Sequence, residues 1–316
     1  MESATGRDTL VNAIANFLSA GQDARMVEGI RGALAREIDA AGPRALIRLD
    51  KRLEKAGADW DYYRFDPLAR RIHYFLAERV LRDGSMMYGL DHLKAVEGHP
   101  VVIFANHLSY SDANLLEVLL RRAGATELAD RLTVIAGPKV YSSLLRRFSS
   151  LCFGTIKTPQ SSALSSEDAV MNARDVARAA RRSIDIAHER LALGEALLVF
   201  AEGTRSRTTE MQQLLSGVTR YLDGPDVLIL PVGIAGTEAL YPIGEDALHP
   251  VRAVATAGRP IPAGVLRERA GGDRRLIMDV VGLAIARVLP ESYHGKYAAA
   301  EPGLETARKL LDELYA

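Results

Sequence analysis

The sequence predicts an α/β protein, in which a largely parallel mixed sheet is flanked by helices and preceded by a small N-terminal helical bundle. Two observations predict this fold class. Up to about residue 83 the apolar residues recur at helical spacing, whereas from about residue 86 short apolar runs alternate with helical stretches. We therefore predict an N-terminal helical domain at residues 1–83 and an α/β domain at residues 84–316.

Four helices are predicted in the N-terminal part. They lie in the stretches TLVNAIANFLSA, DARMVEGIRGALAREIDAA, PRALIRLDKRLEKAG and LARRIHYFLAERVL. In the second stretch Met26, Ile30, Leu34 and Ile38 recur every four positions, and Gly42-Pro43 ends that helix and begins the next. We interpret these helices as an antiparallel bundle or cap placed before the sheet.

Strands and helices alternate in the rest of the chain. Strands are predicted at residues 86–88, 100–105, 132–136, 155–157, 196–200, 227–234 and 251–257. Helices are predicted at residues 112–123, 140–149, 167–192, 209–223 and 275–289, and a last one in the tail GLETARKLLDELYA. This order is typical of a sheet whose neighbouring strands are mostly parallel.

Composition and charge narrow the class of protein. Lys plus Arg and Asp plus Glu number 40 each, which argues against a nucleic-acid-binding protein. Cys152 is the only cysteine, so the chain has no internal disulfide or multi-cysteine metal site and is expected in a reducing compartment. No secretory leader is recognisable, and the apolar runs fall short of the ~18 residues of a membrane span. We expect a soluble, cytoplasmic protein.

The first candidate site follows the strand-like run Val101–Ala105. The loop after it carries His107 and Asp112 and leads into an apolar helix. In α/β sheets ligands bind at the carboxyl ends of strands, and this spacing allows the carboxylate to hold one nitrogen of a general base. The alternative is that Asp112 only caps the helix and His107 is a packed loop residue.

The second candidate site lies in the stretch ALLVFAEGTRSR, which again ends a strand in a polar loop. Arg205 and Arg207 offer planar donor groups suited to a phosphate, and the backbone at Gly203 and Thr204 can approach an anion closely. A surface turn with solvated arginines is the alternative.

Together the two loops resemble the glycerolipid acyltransferases. The stretch HLSYSD matches the HxxxxD motif of that family, FAEGTRS matches its FPEGTRS-like motif, and ILPVGI, with Pro231, resembles its late strand. The resemblance covers about residues 86–297. It implies transfer of a fatty acyl group from acyl-CoA or acyl carrier protein to glycerol-3-phosphate or to lysophosphatidate (1-acyl-sn-glycerol-3-phosphate), without a cofactor or metal ion.

The resemblance also implies roles for individual residues. His107 would be the general base and Asp112 would stabilise its imidazolium, while Arg205, Arg207 and Lys157 would hold the substrate phosphate. Glu202 would orient acceptor hydroxyls, hold Arg205 or be a structural partner; we favour a role in the site. These are the candidate catalytic and substrate-binding residues, together with Gly203 and Thr204.

Residues outside the motifs bear on the choice of substrate. The stretch DYYRF and the helical N-terminus resemble the soluble, plastid-type glycerol-3-phosphate acyltransferases, whereas the tail LPESYHGKY resembles bacterial members. The family's GxxFIxR block is poorly kept, because Gln160 stands at its arginine position. Lys157 would replace that arginine as a point charge, or it is a solvated residue at the end of a strand.

We therefore expect a glycerol-3-phosphate acyltransferase of phospholipid biosynthesis, located in the cytoplasm or peripherally on the membrane. The alternatives are a lysophosphatidate acyltransferase and a non-catalytic lipid-binding protein on the same fold.

Overall fold

The computed structural model describes residues 6–18, 24–159, 172–223, 227–242, 244–245 and 248–316. Its α-helices are α1 (Arg7–Leu18), α2 (Ala24–Ala41), α3 (Pro43–Lys55), α4 (Pro67–Val80), α5 (Leu90–Lys94), α6 (Asp112–Arg122), α7 (Thr126–Asp130), α8 (Leu144–Ser150), α9 (Ala173–Ala192), α10 (Ala263–Arg269), α11 (Arg274–Ala286) and α12 (Glu305–Tyr315). Its strands are β1 (Tyr62–Tyr63), β2 (Met86–Tyr88), β3 (Val101–Ala105), β4 (Leu132–Ala136), β5 (Gly154–Lys157), β6 (Ala196–Phe200), β7 (Leu228–Ala235), β8 (Val254–Ala257) and β9 (Ile261–Pro262). Short 3-10 helices lie at Pro138–Tyr141, Ser216–Leu222, Thr237–Ala239, Glu291–Tyr293 and Gly295–Tyr297.

Nine strands of the described residues form one sheet, in the order β1-β5-β4-β6-β3-β7-β8-β2, with β9 paired to β7. The central run from β5 to β7 is parallel throughout. β1, β8 and β9 pair antiparallel with their neighbours β5 and β7, and β2 pairs parallel with β8. The predicted fold class, a largely parallel mixed sheet flanked by helices, is confirmed.

β3 lies in the middle of this sheet, and all five of its residues are buried. Val101, Ile103 and Ala105 join the apolar core that contains α1–α4, α6 and α8, whereas Val102 and Phe104 join the core beneath α9, α11 and α12. A strand covered on both faces needs apolar side chains at every position, which explains the uninterrupted run in the sequence. Because β3 lies between β6 and β7, the loops that follow these three strands meet at one edge of the sheet.

The four predicted N-terminal helices are present as α1–α4. Leu49 of α3 and Ile72 of α4 lie in the same continuous core as Leu116 of α6. The part of the chain before residue 84 also contributes β1, which pairs with β5 and which the sequence does not predict. The division into domains at residue 83 remains a prediction.

One predicted helix, at residues 209–223, is wrong for most of its length. The N–H of Met211 donates to the carbonyl of Tyr293, and the carbonyl of Met211 accepts from Lys296 N–H. These bonds commit the backbone around Met211 to the C-terminal segment and prevent helical pairing there. Only the 3-10 helix Ser216–Leu222 forms. The predicted helix at residues 140–149 is divided into a 3-10 helix and α8, and the first residues of the one predicted at 167–192 lie outside the described residues, as does Gln160.

Asn106 extends the pairing of β3 and β7 beyond their last backbone bonds. Its side-chain amide donates to the carbonyl of Ile234 at 2.8 Å and accepts from Ile234 N–H at 2.7 Å. Asn106 is fully buried, so both groups of its amide and both backbone groups of Ile234 are satisfied away from water. This clamp fixes the start of the loop that carries His107.

Candidate active site

His107 and Asp112 form a hydrogen-bonded pair in the loop between β3 and α6. His107 Nδ1 donates to Asp112 Oδ2 at 2.9 Å, and the N–H groups of Leu108 and Ser109 donate to the same oxygen at 2.7 and 2.8 Å. Asp112 is only 1% exposed. Its carboxylate is turned back toward the loop, and no bond to it from an N–H of α6 is present among the described residues. The helix-cap alternative therefore does not describe this carboxylate.

Thr237 completes the surroundings of Asp112. Its hydroxyl donates to Asp112 Oδ1 at 2.6 Å. Thr237 lies two residues after the end of β7, beyond a turn at Gly236, which has a φ of 87°. A Cβ at Gly236 would lie 2.3 Å from the carbonyl oxygen of Arg252, so only glycine fits this turn. The sequence analysis missed Thr237; its position after the strand next to β3 is the signal that would have indicated it.

The imidazole ring of His107 is held on its face as well as on its edge. It stacks on the ring of Phe200, the last residue of β6, with 4.3 Å between centroids and 21° between planes. Since Nδ1 is committed to Asp112, Nε2 lies on the opposite edge of the ring. No partner of Nε2 is present in the described part of the chain, and the side chain is 17% exposed. Nε2 is thus the ring nitrogen available to an incoming hydroxyl.

Glu202 holds the backbone of His107 through a hydrogen bond. Its Oε1 accepts the N–H of His107 at 2.8 Å and its Oε2 accepts the N–H of Gln212 at 2.7 Å. Burial raises the pKa of Glu202 to about 7, although the two backbone N–H groups act to lower it. With both oxygens used and the side chain 3% exposed, Glu202 holds the two loops together. Its hydrogen bonds do not go to Arg205, which is one of the partners that the sequence suggests.

The other residues of the second loop lie on the open side of the site. The guanidinium of Arg205 donates to the carbonyl of Tyr241 at 3.4 Å and lies 4.7 Å from the centroid of the Tyr110 ring. Gly203, with φ of 74°, uses its N–H on the carbonyl of Phe200. Thr204 and Arg207 are exposed, and no hydrogen-bond partner of their side chains is found within the described ranges.

The structure does not bring Lys157 to this group. Its ammonium donates to the carbonyl of Gly57 and lies 4.3 Å from the centroid of the Trp60 ring and 5.6 Å from that of Tyr141. Burial lowers the pKa of Lys157. These contacts lie at the carboxyl end of β5, which β4 and β6 separate from β3. A phosphate contact by Lys157 remains a prediction without support from its surroundings.

An apolar cavity of about 520 Å³ begins at the same loop. Tyr110 and Ser111 line it on the side of the site, and its other walls come from α1, α4, α6 and α8, with Leu115 and Ala77 among them. Its size lies within the range of ligand pockets, roughly 300–1,000 Å³. The sequence analysis did not locate these walls because they come from helices far apart in the chain.

Comparison with known proteins supports the class that the two loops resemble. Residues 84–235 match the family model described as Acyltransferase. A solved structure, that of the 1-acyl-sn-glycerophosphate (LPA) acyltransferase PlsC from Thermotoga maritima, is similar at 16% identity and a TM-score of 0.48. The match covers 89% of this chain and 97% of that one. No curated protein matches the sequence.

The described residues lack two further features. No helix among them is long and apolar enough to cross a membrane. Within the same residues, no group of three or more His, Cys, Asp or Glu side chains could hold a metal ion.

Replacing Asp112 with Asn tests the charge of this carboxylate separately from its shape. The amide oxygen of Asn can accept from His107, Leu108 and Ser109, while its NH₂ donates to Thr237. We expect Asp112→Asn to keep the fold but to lower kcat for acyl transfer by roughly 10²-fold or more, because the imidazolium loses its counter-charge. Stopped-assay kinetics and urea unfolding measure the two effects. A kcat within threefold of wild type would contradict this role.

Proposed function

We propose that this protein transfers a fatty acyl group from a thioester, acyl-CoA or acyl-acyl carrier protein, to a hydroxyl of glycerol-3-phosphate. The observation that carries the proposal is the position of the His107–Asp112 pair. The pair shares its loop with Tyr110, which lines an apolar cavity and whose ring centroid lies 4.7 Å from Arg205, a cation that faces no carboxylate among the described residues. A base, a place for an acyl chain and a cation for a phosphate are the three parts that this reaction requires.

The chemistry follows from the free nitrogen of His107. The acceptor hydroxyl gives its proton to Nε2 as its oxygen attacks the thioester carbonyl. The imidazolium that forms is stabilised by Asp112, whose position is already fixed by its other hydrogen bonds. When the tetrahedral intermediate collapses, the carbon–sulfur bond breaks and the thiolate takes the proton back from Nε2. The base ends the cycle neutral, so no other proton donor is needed.

The apolar cavity supports a fatty acyl donor in preference to a short one. Its walls are mostly aliphatic and aromatic, and it extends from the loop at Tyr110 between α4 and α8. An acyl chain placed there would bring its thioester end toward the loop. Holding the thioester and the acceptor hydroxyl in the right geometry can lower the activation free energy by several kcal/mol.

The polar, open side of the site supports a small acceptor. Tyr110 is 42% exposed, and Thr204 and Arg207, in the loop after β6, are exposed as well. Glycerol-3-phosphate has no acyl chain of its own to bury, so it fits a site whose apolar cavity is assigned to the donor. A location in the cytoplasm or at the membrane surface is part of the same proposal.

Acyl transfer by the purified protein tests the proposal. Palmitoyl-CoA and palmitoyl-acyl carrier protein are offered with glycerol-3-phosphate and, in parallel, with lysophosphatidate. We expect turnover of glycerol-3-phosphate that His107→Ala lowers by roughly 10²-fold or more and that His99→Ala, an exposed histidine before β3, leaves unchanged. Turnover of lysophosphatidate alone would contradict the choice of glycerol-3-phosphate as the acceptor. No turnover with either acceptor would contradict the proposed function.

Filling the cavity tests the place of the acyl chain. Ala77 of α4 lines the cavity, so a phenylalanine there would occupy part of it. We expect Ala77→Phe to lower kcat/KM at least tenfold for palmitoyl-CoA but less than threefold for octanoyl-CoA, because only the longer chain needs the lost space. Ala177→Phe, the same change at an exposed position of α9, is the matched control. An equal loss for both donors would place the acyl chain elsewhere.

A further inference from the structure

Two guanidinium groups from distant parts of the chain border the ring of Tyr110. Arg205, in the loop after β6, lies 4.7 Å from the ring centroid, and Arg146, on α8, lies 4.8 Å from it. Both distances are within the range of a cation–π contact. Tyr110 itself is part of the loop that carries His107, so both cations are held beside the candidate active site.

Neither guanidinium has a carboxylate within ion-pair distance among the described residues. Arg146 Nη1 donates to the carbonyl of Lys139 and to the hydroxyl of Ser142, both at 3.1 Å. Arg205 Nη1 donates to the carbonyl of Tyr241. Neutral oxygens hold one nitrogen of each fork, and no partner is found for Nη2 and Nε within the described ranges. Two like charges that share one tyrosine ring therefore remain uncompensated, whereas Arg71 of α4 faces Glu37 and Arg122 of α6 faces Glu78.

Lys157 has partners of its own away from Tyr110. The resemblance to glycerolipid acyltransferases implies that more than one cation holds the substrate phosphate, and Lys157 is the one that it suggests upstream of Arg205. The ammonium of Lys157 contacts Gly57 and Trp60. Arg146 supplies a cation beside Tyr110, in the loop that carries His107.

We propose that Arg146 and Arg205, which both lie beside the ring of Tyr110, together form the binding site for a phosphate monoester. The identification of that ester as the acceptor, glycerol-3-phosphate, rests on the proposed function. Planar guanidinium groups suit this ligand because each can donate two parallel hydrogen bonds to phosphate oxygens.

Direct binding tests the site without any turnover. The probe is inorganic phosphate, titrated into the full chain by calorimetry at low ionic strength. We expect Arg146→Gln and Arg205→Gln each to weaken phosphate binding about tenfold or more, because each removes charge-assisted hydrogen bonds. Arg146→Lys, which keeps the charge but loses the fork, should bind with intermediate affinity. Arg178→Gln removes a charge from α9, on the opposite face of the sheet, and should bind as wild type.

Equal phosphate affinity in Arg146→Gln and Arg178→Gln would overturn the site, whatever reaction the protein catalyses. Kinetics then distinguish the two sources of the phosphate, the glycerophosphate acceptor and the CoA donor. We expect Arg146→Gln to raise KM for glycerol-3-phosphate about tenfold or more while KM for palmitoyl-CoA changes less than twofold. A rise in KM for palmitoyl-CoA alone would overturn the assignment to the acceptor. Because the binding experiment needs no acyl transfer, it can support or contradict the phosphate site even if the proposed acyltransferase activity is not observed.

Discussion

The buried carboxylate of Asp112 is the constraint on which the rest of the site depends. A charge that is 1% exposed is stable only if its oxygens are fully hydrogen-bonded, and here His107, Leu108, Ser109 and Thr237 supply the donors. Three of them belong to the loop after β3 and the fourth follows β7. The carboxylate thus fixes the conformation of the loop after β3 and the orientation of the imidazole ring. Through Thr237 it also links this loop to the segment that follows β7.

The sheet makes this arrangement possible. β6, β3 and β7 are adjacent and parallel, so the loops that follow them converge at one edge of the sheet although the strands lie far apart in the sequence. Phe200 at the end of β6 supports the imidazole face, Glu202 ties the second loop to the backbone of His107, and Asn106 ties the first loop to β7. The polar residues of the site are held mainly by backbone groups, which vary little when side chains move. Arg205 and Arg207 differ from these residues, because no carboxylate among the described residues pairs with either guanidinium.

The sequence predicted what is local and missed what is assembled from distant segments. The strand at Val101–Ala105 and the pair His107 and Asp112 lie within a few residues of one another, so the sequence pattern located them, and the resemblance to the acyltransferase motifs implied their roles. Thr237 and Arg146 were not predicted, because only the strand order and the packing of α8 bring them to the loop. The helix predicted at residues 209–223 failed for the same reason, since pairing with the C-terminal segment overrides local helical preference. Lys157 lies near a motif in the sequence, but its contacts in the structure are Gly57 and Trp60, so its role in phosphate binding stays a prediction.

The protonation state of the His107 ring tests the central claim most directly. If Asp112 holds Nδ1–H as described, neutral His107 carries its proton on Nδ1 and leaves Nε2 as the base. Ring ¹⁵N NMR of protein labelled at histidine, with His107→Gln to assign the signal among the seven histidines, reports which nitrogen is protonated. The account predicts a protonated Nδ1 and an unprotonated Nε2 for the neutral ring of His107. A proton on Nε2 instead would mean that Asp112 does not orient the ring, and the proposed general base would be contradicted.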